Sequence, residues 1–213
     1  MQIAIPIYDG VTALDAIGPY EPLSRIPGAD VRFVGAEPGP KECDTRALSL
    51  VAGYSVEEVL SPDVIVVPGG EGSRRESGDA LLPWIRSVHP TTRWTTSVCT
   101  GSLLLGKAGV LDGLEATSHW IYLDMLRDYG AKPSHDRVVE QGKVVTAAGV
   151  SSGIDMALRL IQLEAGDELA KAIQLSIEYD PQPPFDAGSP DKAPDQLVEL
   201  VRAVERGQAD DGG

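Results

Sequence analysis

Short runs of apolar residues that end at turn residues constrain the fold of this chain more than any other feature. The clearest run is Val64–Val67, four β-branched residues followed directly by Pro68-Gly69-Gly70. Continuous apolar runs of this length are typical of parallel strands that helices cover on both faces. Because segments with helical spacing separate these runs, the pattern predicts βαβ units. The expected fold is α/β, with a doubly wound, mostly parallel sheet and helices on both faces.

The individual elements follow from the same periodicities. The predicted strands are short and apolar: Gln2–Tyr8, Val31–Val34, Val64–Val67, Arg93–Val98, and a hairpin of Val138–Glu140 and Val144–Ala147 turning at Gln141-Gly142. The predicted helices are Thr12–Leu23, Leu81–Val88, Ser102–Ala108, Ile121–Tyr129, a long helix from Ser152 to about Gly166, and Asp167–Ile177. Gly18-Pro19 is expected to bend or interrupt the first helix, because proline lacks the N–H that a helix interior needs.

The domain organisation is predicted from length and proline content. A length of 213 residues favours one domain over two. Residues 1–190 are expected to form this domain. Its last part, from about residue 180, is expected to be an extended arm, because Asp180–Pro194 is rich in proline. Residues 191–213 are expected to hold one short helix, Gln196–Arg206, and a disordered tail from Gln208.

Charge and cysteine content exclude several classes of protein. The chain has 18 basic and 32 acidic side chains and a formal net charge of −14. A surface this acidic repels phosphate, so binding to nucleic acid or to anionic membranes is not expected. No apolar stretch approaches the ~18 residues of a membrane span, and Met1–Tyr8 is typical of a first strand rather than a signal peptide. Two cysteines, Cys43 and Cys99, are not a disulfide framework, which favours a reducing cytoplasm.

The chemistry is predicted to centre on Cys99, where the strand Arg93–Val98 ends and the next helix opens. A residue at such a turn is held in a tight conformation above the sheet, at the edge where open α/β folds bind ligands. The helix N-terminus behind it offers free N–H groups, so we expect a partly ionised thiol that acts as a nucleophile. The alternative is a buried structural cysteine. Cys43, at a polar junction, is expected to be inert.

Backbone amides at the same sheet edge are candidates for binding negative charge. Gly69 and Gly70 follow another strand, and glycines let backbone N–H groups approach a ligand closely. The amides of Gly70 and Thr100 are therefore expected to stabilise charge that develops in the reaction. The alternative is an ordinary turn at the end of a strand.

A nucleophilic cysteine also needs a group that carries protons. His119 follows a short predicted strand and is a candidate, whereas His89 and His135 lie in segments typical of the surface. Asp15 is the other candidate, because a carboxyl among apolar neighbours has a raised pKa that suits proton transfer. Alternatively, Asp15 serves only as an acid in the first turn of its helix. The sequence lacks clustered metal ligands and glycine-rich phosphate motifs, so no metal or organic cofactor is expected.

Four segments in order resemble the ThiJ/PfpI superfamily, which is related to the class I glutamine amidotransferases. These are Leu14-Asp15-x-x-Gly18-Pro19, Val67–Gly70, Ser97–Gly101 and Thr117–Trp120, and the resemblance extends over about residues 1–190. Within the superfamily the chain looks most similar to the isonitrile hydratases. The resemblance implies a flavodoxin-like fold, a homodimer, a cysteine nucleophile and a small apolar isonitrile and water as substrates.

The resemblance also implies roles for individual residues. Protease-like and glyoxalase-like members carry histidine directly after the cysteine, whereas hydratase members carry threonine, as at Thr100, and an acid facing the thiol, as at Asp15. The implied reaction passes through a thioimidate on Cys99, with the Thr100 hydroxyl orienting Asp15. Other readings are a glyoxalase- or deglycase-like enzyme, a redox sensor, and a ligand-binding regulator without turnover.

Overall fold

A seven-stranded sheet lies at the centre of the fold in a computed structural model, which describes residues 1–210, with side chains described for residues 1–205. The strands are β1 (Gln2–Pro6), β2 (Asp30–Gly35), β3 (Gly39–Glu42), β4 (Ser49–Ala52), β5 (Tyr54–Ser55), β6 (Val64–Val67), β7 (Trp94–Val98), β8 (Glu115–Ala116), β9 (Lys132–Pro133), β10 (Val138–Gln141) and β11 (Val144–Ala147). Their order in the main sheet is β10-β11-β7-β6-β1-β2-β5. All neighbours are parallel except β10 and β11, which form an antiparallel hairpin.

Helices cover both faces of this sheet. The α-helices of residues 1–178 are α1 (Ala13–Leu23), α2 (Glu76–Asp79), α3 (Leu82–Val88), α4 (Gly101–Lys107), α5 (Ser152–Ala165) and α6 (Asp167–Ser176), and a further helix, α7 (Asp195–Asp210), follows later in the chain. The strand β6 explains the continuous apolar run: Ile65 and Val67 pack in one apolar cluster, with α3 and α4, while Val64 and Val66 pack in the other, with α1 and α5. The predicted flavodoxin-like, doubly wound α/β fold is therefore confirmed.

Three local expectations differ from the structure. The helix α1 continues through Gly18 and Pro19 instead of breaking there. The segment predicted as a helix at Ile121–Tyr129 is a 3-10 helix over Leu123–Tyr129. The hairpin of β3 and β4 was not expected, because its first strand, Gly39–Glu42, contains proline and two charged residues and lacks an apolar run.

The chain divides into two compact units, Met1–Glu178 and a second that begins at Tyr179. The division lies close to the predicted start of the proline-rich arm and before the predicted boundary at residue 190. Residues 179–194 contain no helix or strand, and α7 then runs to Asp210. This helix includes the first residues of the predicted disordered tail, whereas residues 211–213 lie outside the described part of the chain. Among the described residues, no helix is long and apolar enough to cross a membrane.

Candidate active site

Cys99 occupies a tight turn between β7 and α4. Its φ angle of 57° lies in the left-handed region, which side-chain-bearing residues rarely adopt. The turn is held by its backbone N–H, which donates to the carbonyls of Ala147 at 3.1 Å and Ala148 at 3.0 Å. Close packing also requires Gly101, because a Cβ atom there would lie 2.0 Å from the carbonyl oxygen of Val67. These contacts fix Cys99 at the carboxyl end of a central strand.

The thiol of Cys99 is buried, with 5% of the residue exposed. Burial raises its pKa well above the usual value, and the charge of the Asp15 carboxyl raises it further. The backbone N–H groups of Thr100 and Val150 hydrogen bond to the sulfur and lower the pKa. Desolvation and the Asp15 charge thus act against ionisation of the thiol, while the two amides favour it. The net direction of the pKa runs against the expected partly ionised thiol.

Asp15 lies on the buried face of α1, with 0% of the residue exposed. Burial raises the pKa of its carboxyl from 3.8 to about 7, and the charge of Asp44 adds to this effect. Two interactions lower the pKa: the Gly69 N–H, which donates to Oδ2 at 2.9 Å, and the Cys99 thiol. The other oxygen, Oδ1, is buried and has no hydrogen-bond partner among the described residues.

The pairing of Asp15 with Cys99 permits proton transfer. With a pKa of about 7, the Asp15 carboxyl is present in both the acidic and the basic form near neutral pH. A general acid–base works best when its pKa is close to the working pH. The structure therefore brings together a sulfur nucleophile and a carboxyl that can accept its proton and return it.

The amides of the β6 turn have different partners from those expected. Gly69, not Thr100, holds the Asp15 carboxyl. The Gly70 N–H donates to Thr100 Oγ1 at 2.9 Å, so it is not free to bind charge on a substrate. The Thr100 hydroxyl donates to the Gly70 carbonyl at 3.3 Å and accepts from Ser73 Oγ at 2.9 Å, rather than orienting Asp15. Both expectations fail because Thr100 and Gly70 satisfy one another across the turn.

His119 lies beside the turn that carries the thiol. The preceding residue, Ser118, donates its hydroxyl to the Cys99 carbonyl at 3.1 Å. The His119 ring packs on Gly149, where a Cβ atom would lie 2.8 Å from Cδ2 of the ring. Its Nδ1 accepts from the Ile121 N–H at 3.4 Å. The titratable side chain whose charge raises the pKa of the Cys99 thiol is instead Asp15.

This arrangement of a cysteine on a strand-to-helix turn, in a doubly wound sheet, agrees with a comparison against known families. The model of the DJ-1/PfpI family matches residues 1–163. The chain belongs to the DJ-1/PfpI family.

Individual DJ-1/PfpI proteins are similar over most of the chain. An isonitrile hydratase of Pseudomonas putida is 43% identical over 203 residues, which cover 95% of this chain and 89% of that protein. The crystal structure of a ThiJ/PfpI family protein from Pseudomonas syringae is 35% identical with a TM-score of 0.92, covering 95% of this chain and 85% of that one. The protein DJ-1 homolog A of Arabidopsis thaliana is 26% identical and matches 85% of this chain and 47% of its own length.

Three residues at this DJ-1/PfpI site were not predicted from the sequence: Tyr8, Ser73 and Val150. Tyr8 donates its hydroxyl to the Pro68 carbonyl at 2.7 Å, and burial followed by the charges of Asp15 and Cys99 raises its pKa. Ser73 binds the Thr100 hydroxyl, and Val150 directs its N–H at the sulfur. No sequence signal marks Val150, because its backbone rather than its side chain acts.

Within residues 1–205, no group of three or more His, Cys, Asp or Glu side chains is placed to hold a metal ion. The two cysteines are both buried and both free.

Proposed function

We propose that this protein hydrates an organic isonitrile to the corresponding N-substituted formamide. The observation that carries the proposal is the Asp15 carboxyl beside the Cys99 thiol, with Asp15 Oδ1 left without a hydrogen-bond partner. The proposal is supported by the 43% identity to an isonitrile hydratase over 95% of this chain. It is also supported by Thr100 following the cysteine, where protease-like relatives carry histidine.

The first step adds the thiol across the terminal carbon of the isonitrile. Ionised Asp15 accepts the thiol proton as Cys99 Sγ attacks that carbon, and Asp15 then delivers the proton to the same carbon. One S–H bond breaks, and one C–S and one C–H bond form. The product is a thioimidate, R–N=CH–S–Cys99, and Asp15 is ionised again.

The second step uses water. Asp15 takes a proton from the water as the water oxygen adds to the thioimidate carbon, and it passes that proton to the substrate nitrogen, giving R–NH–CH(OH)–S–Cys99 with Asp15 ionised again. The C–S bond then breaks, the hydroxyl proton passes through Asp15 to the sulfur, and the formamide leaves. In this scheme the Thr100 and Val150 amides stabilise negative charge on the sulfur, both when it attacks and when it departs.

Access to the thiol fits this kind of substrate. Because only 5% of Cys99 is exposed, a reacting group must be slim, and the carbon of an isonitrile stands at the end of a linear bond. Cys99 also belongs to an apolar cluster that includes Ala16, Val98 and Ala147, which suits an apolar substrate. A role as a redox sensor is less favoured, since burial and a raised pKa slow the oxidation of a thiol.

Two further parts of the proposal come from the sequence, the first from its family resemblance and the second from its cysteine content. The protein is expected to act as a homodimer, and its compartment is expected to be the cytoplasm. In addition, Gly69 is assigned a positioning role, because it holds the Asp15 carboxyl toward the thiol.

The test is formamide production from phenyl isonitrile by wild type and by Cys99→Ser. The variant should form no measurable formamide, because its hydroxyl is a much weaker nucleophile at neutral pH. Cys43→Ser is the matched control, since Cys43 is the other buried free cysteine and has no role in the scheme. Circular dichroism checks the fold of each variant. Formamide production that survives in folded Cys99→Ser would disprove the proposed reaction.

A further inference from the structure

Arg74 has no carboxylate partner for its charge among residues 1–205. It ends the 3-10 helix Glu71–Arg74 that follows β6. Its Nε atom is buried without a hydrogen-bond acceptor, and no carboxylate with a described position pairs with its guanidinium. Eight other arginines do pair with a carboxylate: Arg25, Arg32, Arg75, Arg93, Arg127, Arg137, Arg159 and Arg202. The chain has 32 acidic side chains, yet Arg74 is partly buried without a carboxylate partner. In this it differs from those eight arginines.

The guanidinium of Arg74 is instead stacked on an aromatic ring. Its central carbon lies 4.2 Å from the centroid of the Tyr122 ring. Such stacking occupies a face of the planar group and leaves its N–H edge for hydrogen bonds. A carboxylate is the anion whose two oxygens match that edge.

The residue before Arg74 and the ring on which Arg74 stacks both contact segments next to the Cys99 turn. On one side, the adjacent residue Ser73 hydrogen bonds to Thr100 Oγ1 at 2.9 Å, and Thr100 follows Cys99. On the other side, the centroid of the Tyr122 ring lies 5.9 Å from that of His119, which packs on Gly149 beside the Val150 amide. Arg74 and Tyr122 thus belong to the segments that surround the thiol at the carboxyl edge of the sheet.

The overall charge strengthens the argument. A protein with a net charge of −14 repels anions, so an anionic substrate needs a specific cation at its site. The charge of Arg74 has no carboxylate partner among the described residues, and a bound anion would supply one.

We propose that Arg74, stacked on Tyr122, forms a subsite for a carboxylate group of the substrate. This inference rests on the proposed hydration and narrows it to isonitriles that carry a carboxylate. The isonitrile carbon reaches Cys99, while the carboxylate binds the guanidinium at the rim of the site.

The test compares 4-isocyanobenzoate with its methyl ester, which has nearly the same shape and no charge. Arg74→Gln should lower kcat/KM for the acid about 10- to 100-fold, the usual effect of losing a charged hydrogen-bonding partner, and change it little for the ester. Arg75→Gln is the matched control, because Arg75 is paired with Glu71. This variant should keep the wild-type kcat/KM for both substrates. Equal losses for the acid and the ester in Arg74→Gln would overturn the carboxylate subsite.

A binding measurement separates this inference from the proposed reaction. Calorimetry with 4-formamidobenzoate, the expected product, is performed on Cys99→Ser and on Cys99→Ser combined with Arg74→Gln. If product binding depends on Arg74, the subsite is supported, even if neither isonitrile is turned over. The absence of turnover would disprove only the proposed hydration. If the ester is turned over and product binding is the same with and without Arg74→Gln, only the subsite is disproved.

Discussion

Three buried acidic groups lie close together at the site: the Tyr8 hydroxyl, the Asp15 carboxyl and the Cys99 thiol. Burial raises the pKa of each, and the charges of Asp15 and Cys99 also raise that of Tyr8. Each negative charge in the group disfavours a second one nearby. Near neutral pH the group therefore carries at most one negative charge, on Asp15, and the sulfur becomes negative only when its proton moves to that carboxyl.

This leads to a prediction for Asp15→Asn. An amide cannot accept the thiol proton, so kcat should fall by ~10²–10⁴-fold, the usual contribution of a positioned acid–base group. For the same reason, kcat/KM of wild type should decrease as the pH falls below about 7, where the Asp15 carboxyl becomes protonated. Steady-state rates between pH 5 and 9 measure both effects.

The control for this substitution is Asp30→Asn, because Asp30 is an exposed residue that pairs with Arg32 outside the site. It should keep the rate and the pH profile of wild type. An Asp15→Asn variant with unchanged kcat would exclude Asp15 as the carrier of the proton.

The sequence predicted that Cys99 and Asp15 lie together at one site, but not which groups the amides of the turn bind. Cys99 and Asp15 stand in recognisable local patterns, so their side chains were identified. Which glycine faces the carboxyl depends instead on the backbone of the turn, where Gly70 has a φ of 123° and directs its N–H to Thr100. Such angles are set by the packed structure rather than by the residue type alone.

At the scale of elements, the helix α1 is held in place by close packing on α5. A Cβ atom at Gly18 would lie 3.3 Å from Ile154 Cγ1, and one at Gly153 would lie 3.1 Å from Pro19 Cδ. This tertiary contact outweighs the local preference of Gly18-Pro19 for a break, and α1 stays helical as far as Leu23. The expected interruption was wrong, because local propensity does not include the neighbouring helix.

The turn between β7 and α4 allows a sharp prediction at the same scale. Gly101→Ala would place a Cβ atom 2.0 Å from the Val67 carbonyl oxygen, a backbone atom that cannot move aside alone. We expect a loss of about 3 kcal/mol or more in the free energy of unfolding. Urea denaturation measures this loss.

Gly53→Ala is the matched control for that variant, since a Cβ atom at Gly53 meets no atom within 4 Å. Its unfolding should stay close to that of wild type. A Gly101→Ala protein as stable as Gly53→Ala would contradict the account of the turn.

The fold itself was largely predictable wherever burial on both faces produced an apolar run. The strand β6 was predicted with its observed bounds, Val64–Val67, because every one of its residues is buried. The strand β3, in contrast, has no buried residue, so the hydrophobic pattern could not reveal it. The sequence therefore predicts the strands that helices cover, but not the exposed ones.

At the scale of the whole molecule, the buried Asp15 carboxyl makes stability depend on pH. Its pKa is about 7 in the folded state, against an ordinary value of 3.8. Between these values the folded protein binds more protons than the unfolded chain, so stability falls as the pH rises through this window and levels off above it. The whole window corresponds to a loss on the order of 4 kcal/mol for wild type.

Asp15→Asn should remove this dependence. Relative to wild type, the variant should gain about 2–3 kcal/mol in the free energy of unfolding between pH 5 and pH 8. Urea denaturation of both proteins at the two pH values gives the difference directly. A stability difference that stays constant between them would show that the carboxyl is not perturbed as described.

The residues around the sulfur come from separate parts of the chain: Asp15 from α1, Gly69 from the end of β6, Cys99 from the end of β7 and Val150 from the loop after β11. During synthesis, about 150 residues must leave the ribosome before all four are available. A nascent or truncated polypeptide that ends before β11 thus contains Cys99 and Asp15 but lacks the Ala147 and Ala148 carbonyls that hold the turn and the Val150 amide at the sulfur. Enzymatic turnover is therefore expected only after the central sheet is complete. Incomplete chains should be inactive.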